Sequence, residues 1–232
     1  MQGAFDAACR AIRCTIAVGI GVQVNTTVTR HNAAELPAVL DLAVQLGGRT
    51  LDLFFLVPTG RGALLKDLSL DAAEYEKVLA WVADTAPNAP LRLKTTCAPQ
   101  YARIVRQRGG DNPRAPFSKG DRNAAHTAGC MAGRGFLFIS HTGILHPCGF
   151  LPVPCGDLRS LRFDVRTAIE SSATLESLRT VDSFHGSCGV CEYRIECGGC
   201  RARAFALSGD MLGAEPFCRH APRQSTAQTG RS

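Results

Sequence analysis

Five of the eleven cysteines in the chain fall within the 31 residues from Cys188 to Cys218. Their spacing is Cys188-x2-Cys191-x5-Cys197-x2-Cys200-x17-Cys218. Two thiolates two residues apart grip one metal ion, or one iron corner, from a single turn of chain. Spacing alone leaves two chemistries open. All-cysteine ligation suits an iron–sulfur cluster, and paired C-x2-C hooks are equally the mark of structural zinc. A disulfide framework fits poorly. The cysteine count is odd, the N-terminal MQGAFDAACRAIR lacks the charged-then-apolar layout of a secretory leader, and 232 residues is long for a stapled scaffold.

Upstream cysteines add a second pattern. Twelve residues separate Cys130 from Gly143, and four more separate Gly143 from Cys148. The whole series is C-x12-G-x4-C, then C-x2-C-x5-C-x2-C, then a last cysteine. It resembles the SPASM-type C-terminal extension of radical S-adenosylmethionine enzymes. The words GCMAGRGFLFISHTGILHPCGFLP, CGVCEYRIECGGCRARA and GDMLGAEPFC resemble the subfamily acting on haem-type tetrapyrroles. That subfamily contains the alternative haem synthases, which decarboxylate iron-coproporphyrin, and the enzymes that trim propionates toward d1-type haem. The resemblance runs from about Gly3 to Pro222 and is strongest from Lys94 onward.

The resemblance implies ligands. Cys188, Cys191, Cys197 and Cys218 would hold one 4Fe-4S cluster, and Cys130, Cys148 and Cys200 would contribute to a second. Cys97, in KTTCAPQY, is the candidate for an eighth sulfur, and one cluster instead of two stays open. The family's general pattern has three residues between the third and fourth cysteines of the dense stretch; this chain has two. Cys155 lies outside the pattern. Asn25, Thr27 and Arg61 occupy places where relatives contact S-adenosylmethionine. Further implied partners are a tetrapyrrole substrate and an electron donor such as ferredoxin or flavodoxin. The family's activity begins with a 5′-deoxyadenosyl radical that abstracts hydrogen from a propionate side chain. A peptide-modifying relative and a non-enzymatic zinc protein are the competing readings.

Arg201 and Arg203 follow the last C-x2-C hook. A guanidinium clamps a carboxylate through two parallel hydrogen bonds, so tetrapyrrole propionates are natural partners. Equally, these arginines neutralise the thiolate site or pair with Glu192 or Glu196. His126, His141, His146 and His185 also lie near the cysteines in sequence, each more plausibly a hydrogen-bonding histidine than a ligand.

Charge is uneven. The formal net charge is +6. Residues 92–134 carry nine Lys/Arg against Asp111 and Asp121, which gives +7 and leaves about −1 elsewhere. Such a segment receives substrate carboxylates or is a solvated linker; few aromatics and no recognised motif argue against nucleic acid. No apolar run reaches the roughly 18–20 residues of a membrane span. Reduced, metal-binding thiols point to the cytoplasm.

The elements that must position these groups read as helix–strand–helix–strand–helix–strand up to Cys97. A first helix covers Gly3 to Val18, with Phe5, Ala8, Ile12 and Ile16 as its apolar stripe and Cys9 and Cys14 as buried small hydrophobes. Val22 to Thr29 alternates as a strand with one polar face. Asn32 and Glu35 have the layout of a capping box for a helix with Leu36, Val39, Leu40, Ala43 and Val44 inside. Leu51 to Val57 is apolar enough for a strand buried on both faces. Asp71 and Glu74 make a second capping box, ahead of Tyr75, Val78, Leu79 and Val82. Leu91 to Thr96 is a short strand. Alternation of this kind builds a parallel sheet by right-handed crossovers.

The fold class expected is α/β: the second half of a partial (β/α)6 barrel in residues 1–122, a small cysteine-rich iron–sulfur domain in 123–222, and a disordered tail in 223–232. In the second unit, Gly135–Ser140 and Ile144–Phe150 read as a hairpin across HTG, and Leu175–Leu178 as a short helix. The family's C-x3-C-x2-C loop, which carries the cluster that cleaves S-adenosylmethionine, is absent from the 232 residues. The chain therefore reads as a fragment, a product of a misplaced start, or half of a split enzyme whose partner chain supplies the rest of the barrel. Purified as given, it should yield no 5′-deoxyadenosine from S-adenosylmethionine and dithionite; chromatographic detection of that product contradicts this.

Overall fold

A computed structural model describes residues 3–109 and 129–223. The chain divides into two compact units, Met1–Ala115 and Pro116–Ser232. The expected boundary near Asn123, the Asp111–Asp121 loop, His126 and the tail after Arg223 lie outside the described residues.

The first unit is built around a three-stranded parallel sheet in the order β1–β2–β3: β1 Gln23–Val28, β2 Thr50–Phe55 and β3 Arg92–Thr96. Helices α1 (Ala4–Ala17), α2 (Leu36–Gln45) and α3 (Ala72–Thr85) precede the three strands in turn. Helix α4 (Gln100–Gln107) follows β3 and was not foreseen. Its residues 100–107 carry only two large aliphatics, Ile104 and Val105, too few for a helical stripe to show. Leu51, Leu53 and Phe55 of β2 are fully buried, as are Leu79 and Val82 of α3.

The register places Asn25, Asp52 and Lys94 side by side, so one face of the sheet is polar. Asp52 is buried on the polar face, in keeping with a strand buried on both faces. Its carboxylate is buried yet satisfied: Lys94 Nζ donates to it at 2.9 Å and Thr96 Oγ1 at 2.9 Å. A buried acid persists only where such donors meet it.

Two expectations need correction. In α1 only Cys9 is buried, while Phe5 is 64% exposed and Cys14 is exposed. Apolar period shows that a stripe exists, not that anything covers it. Asn32 caps no helix: a 3-10 turn, Ala33–Glu35, intervenes before α2. Its amide instead closes the end of β1, accepting from Thr29 N–H at 2.9 Å and donating to the Thr27 carbonyl at 2.9 Å.

Asp71, by contrast, caps α3 in a complete box. Its carboxylate accepts from the Ala73 and Glu74 amides, and Glu74 accepts from the Asp71 amide at 2.8 Å. Asp71→Ala should lower stability by about 0.5–2 kcal/mol. Glu35→Ala, at the matching position of the box that does not form, should stay within about 0.5 kcal/mol. Urea unfolding of the two variants checks this pair.

The second unit holds an antiparallel sheet, β4 (Phe138–Ile139), β5 (Ile144–His146) and β6 (Gly156–Asp157). The hairpin across HTG is shorter than its apolar pattern suggested. Gly143, at φ +88°, makes the turn, and the Cys148–Leu151 bridge folds the chain back soon after β5. Leu145, Cys155, Leu158, Ala168 and Leu175 form the core beneath it, where Cys155 packs as a small hydrophobe. Helices α5 (Val165–Glu170), α6 (Ala173–Arg179), α7 (Gly186–Gly189) and α8 (Arg201–Ser208) complete the unit. No described helix is long and apolar enough to cross a membrane.

Candidate metal centre

The thiols of the second unit fall into two groups. Cys130 and Cys200 share a side-chain hydrogen bond, and this, together with burial, holds the Cys130 thiol well above its ordinary range. Cys148 is raised mainly by burial, with Cys200 adding repulsion against a second thiolate. Cys197 is raised chiefly by burial, and Cys218, Cys188 and Glu215 add negative charge around it. Cys200 thus lies beside both Cys130 and Cys148, and Cys197 beside both Cys188 and Cys218. Bare thiols packed this way resist ionisation because no cation offsets the charge. A metal centre removes that penalty by binding the thiolate form.

Local structure explains the split. Cys188 lies in the one-turn helix α7, and Cys200 is the N-cap of α8. Between Cys197 and Cys200 both glycines are left-handed, Gly198 at φ +63° and Gly199 at φ +65°. A Cβ on Gly199 would collide with the Arg201 guanidinium and sit 2.7 Å from Glu215 Cβ. The Gly199 amide donates to Cys197 Sγ at 3.4 Å, and the Cys200 amide turns away, donating to Glu215 Oε2 at 2.9 Å. The Tyr193 amide donates to Cys191 Sγ, and the Phe150 amide to Cys148 Sγ, each at 3.4 Å.

Arg201 and Arg203 are fully buried, and Glu215 is buried beside them. Arg203 Nη1 donates to Glu215 Oε2 at 3.0 Å, and its guanidinium lies 5.3 Å from the centre of the Phe217 ring. Arg201 donates to the carbonyls of Met211 (3.0 Å), Gly213 (2.7 Å) and Gly199 (3.3 Å), and its Nη2 to Cys188 Sγ at 3.6 Å. Neither side chain is open to a substrate carboxylate, which removes the propionate-clamp reading and leaves neutralisation of the thiolate site. Arg203 pairs with Glu215, a residue the sequence reading passed over.

Other candidates sit as follows. Asn25 and Thr27 are exposed on the polar face of β1. Arg61 is exposed in the 3-10 segment Gly60–Leu68 after β2. Cys97 ends β3 in the first unit, in a left-handed conformation at φ +59° that is uncommon outside glycine. Its carbonyl accepts from the Tyr75 hydroxyl at 3.0 Å. His185 pairs with Asp210, and His146 Nδ1 meets the Val153 carbonyl, so both do structural work. His220 Nε2 lies 3.0 Å from Glu192 Oε1, and with Cys191 these side chains form a trio whose donor atoms fall within 4.8 Å of one another.

Glu215→Ala should destabilise the second unit by about 3–5 kcal/mol, because it leaves Arg203 charged and buried without its partner. Glu215→Gln should cost less, since an amide oxygen still accepts from Arg203. Thermal unfolding of both variants measures the difference.

No family model matches the chain. Among curated proteins it is 42% identical to an "AdoMet-dependent heme synthase" of Nitratidesulfovibrio vulgaris, over 97% of this chain and 61% of that protein. A protein of the same name from Methanosarcina barkeri is 39% identical over 96% of this chain and 62% of its own length. A "PqqA peptide cyclase" of Granulibacter bethesdensis is 28% identical over 96% of this chain and 56% of that protein. The chain thus spans about three-fifths of the curated relatives it matches best among these. Among solved structures, Streptococcus suis SuiB bound to S-adenosylmethionine superposes with a TM-score of 0.62 at 17% identity, over 93% of this chain and 49% of that one. AnSMEcpe with bound AdoMet gives 0.60 at 16% identity, over 92% and 56%. These two show a shared mixed α/β fold. Along nearly all of its own length, the chain is similar to proteins named AdoMet-dependent heme synthase.

Proposed function

We propose that the chain is the cluster-binding and substrate-side portion of a radical S-adenosylmethionine enzyme that removes carboxylate from propionate side chains of a haem-type tetrapyrrole. The observation that carries this is 42% identity to a haem synthase over 97% of the chain, in a protein whose thiols gather beside a buried arginine. In this reading residues 1–122 are the second half of a partial barrel, and residues 123–222 the SPASM-like domain. The polar face of the sheet, with Asn25 and Thr27 exposed on it and Arg61 following β2, is assigned to S-adenosylmethionine.

The residues fit an iron–sulfur centre. Cys188, Cys191, Cys197 and Cys218 would hold one 4Fe-4S cluster, and Cys130, Cys148 and Cys200 would contribute to a second. When bound, such a cluster supplies a one-electron acceptor or an anchor for substrate. The chain's own residues exclude water from Cys188, Cys197 and Cys200, keep the thiolates bonded to backbone amides, and lend them the charge of Arg201. Ferredoxin or flavodoxin would serve as electron donor, and the cytoplasm, where thiols stay reduced, as the compartment.

A second reading rests on the Cys191–Glu192–His220 trio, whose mixed sulfur, oxygen and nitrogen donors suit zinc. Anaerobic purification separates the two. Iron with matching sulfide and a brown, broad visible absorbance is expected; near-stoichiometric zinc without sulfide defeats the cluster assignment. The loaded protein should then bind iron-coproporphyrin and not a leader peptide. Visible titration for the porphyrin and fluorescence anisotropy for the peptide read this out, and the opposite preference would move the protein to the peptide-modifying relatives.

A further inference from the structure

We infer that Arg201 is a positioning residue that raises the reduction potential of the cluster held by Cys188, an inference that rests on the iron–sulfur reading above. Arg201 is 1% exposed. A guanidinium at that depth keeps its charge and needs an opposite charge nearby. No carboxylate among the described residues pairs with it. Nε and Nη1 are used on backbone carbonyls, and the Phe184 ring covers one face, with its centre 4.8 Å from the guanidinium carbon. Nη2 points at Cys188 Sγ. The negative group that offsets Arg201 is therefore sulfur, and a thiolate on a metal centre supplies it where a neutral thiol does not.

Cys188 is singled out a second time. The backbone amide of Glu215 donates to the same sulfur at 3.3 Å. One sulfur thus receives a neutral donor and a cationic one. In the other group, besides the Cys130–Cys200 hydrogen bond, Cys130 accepts from the Ala132 and Arg201 amides and Cys148 from the Phe150 and Leu151 amides. Arg201 therefore touches both groups, but through different atoms. Its side chain meets Cys188 and its backbone N–H meets Cys130.

The consequence follows from electrostatics. An added electron places more negative charge on the ligand sulfurs. A fixed cation in hydrogen-bond contact stabilises that state more than the oxidised one, most strongly in a buried, low-dielectric setting. Lysine cannot do the same work, because its ammonium lacks the planar fork that serves two carbonyls and a sulfur at once.

The test uses the anaerobically reconstituted chain, with iron and sulfide content measured first and midpoints read by EPR-monitored redox titration. In Arg201→Met the oxidised-to-reduced ratio of the Cys188 cluster at fixed potential should rise at least tenfold, a fall in midpoint of about 59 mV for one electron. Arg201→Lys should shift in the same direction by less. A second cluster, on Cys130, Cys148 and Cys200, should keep its midpoint, because its contact is a backbone amide that every variant retains. Full loading with an unmoved midpoint in Arg201→Met overturns the inference. A readout without any variant guards against poor folding. In wild-type protein labelled with guanidino-15N arginine, pulsed EPR of the reduced cluster should show a weak nitrogen coupling, and its absence from a loaded, reduced sample is equally fatal. Wild-type protein that carries zinc and no sulfide would instead sink the iron–sulfur reading itself, a different failure from an unmoved midpoint.

Discussion

Two buried guanidiniums and one buried carboxylate sit together in the cysteine-rich unit, and the guanidinium without the carboxylate is met by backbone carbonyls and a cysteine sulfur. Glu215 accounts for Arg203. Arg201 is left with carbonyl dipoles and Cys188. Burying such a set is unfavourable unless every donor finds an acceptor and the charges nearly cancel. That constraint fixes the path of the surrounding chain. The Met211 and Gly213 carbonyls must turn inward, Glu215 must sit where its carboxylate reaches both Arg203 and the Cys200 amide, and Gly199 must lack a side chain.

The first unit faces a milder version of the same problem. Its sheet is apolar on one face through Leu51, Leu53 and Phe55, and polar on the other through Asn25, Asp52 and Lys94. Only one face is therefore built as a core. A stand-alone parallel sheet usually hides both faces. The polar row is satisfied locally, with Asp52 held by Lys94 and Thr96.

Much of this was legible in the sequence. Where pattern and packing depend on the same residues, the reading held: Tyr75, Val78, Leu79 and Val82 are the buried stripe of α3, and Asp71 is its cap. Where a motif's partner lies elsewhere, it failed. Asn32-x2-Glu35 matches the same capping layout, yet Asn32 is drawn back to the end of β1. Phe5 keeps helical period but lies uncovered. The thiol grouping was suggested by spacing and resemblance, whereas Glu215 was invisible. A lone glutamate fifteen residues beyond the last C-x2-C hook carries no local signal, and its role exists only once the fold returns it to Arg203 and Cys200.

The shortened gap between Cys197 and Cys200 also has a physical account. With only two residues between them, the cysteines must still send their thiols in different directions, one toward Cys188 and Cys218 and the other toward Cys130 and Cys148. An ordinary right-handed turn over so short a span keeps both sulfurs on one side, which is why C-x2-C usually chelates a single metal. Two successive left-handed residues reverse the chain within that span. Only glycine enters such a conformation without strain, and here both positions are glycine at positive φ. A side chain at either site would push the pair back toward a common chelate and merge the two thiol groups. In this structure, then, the C-G-G-C stretch parts Cys197 from Cys200, one beside Cys188 and Cys218 and the other beside Cys130 and Cys148.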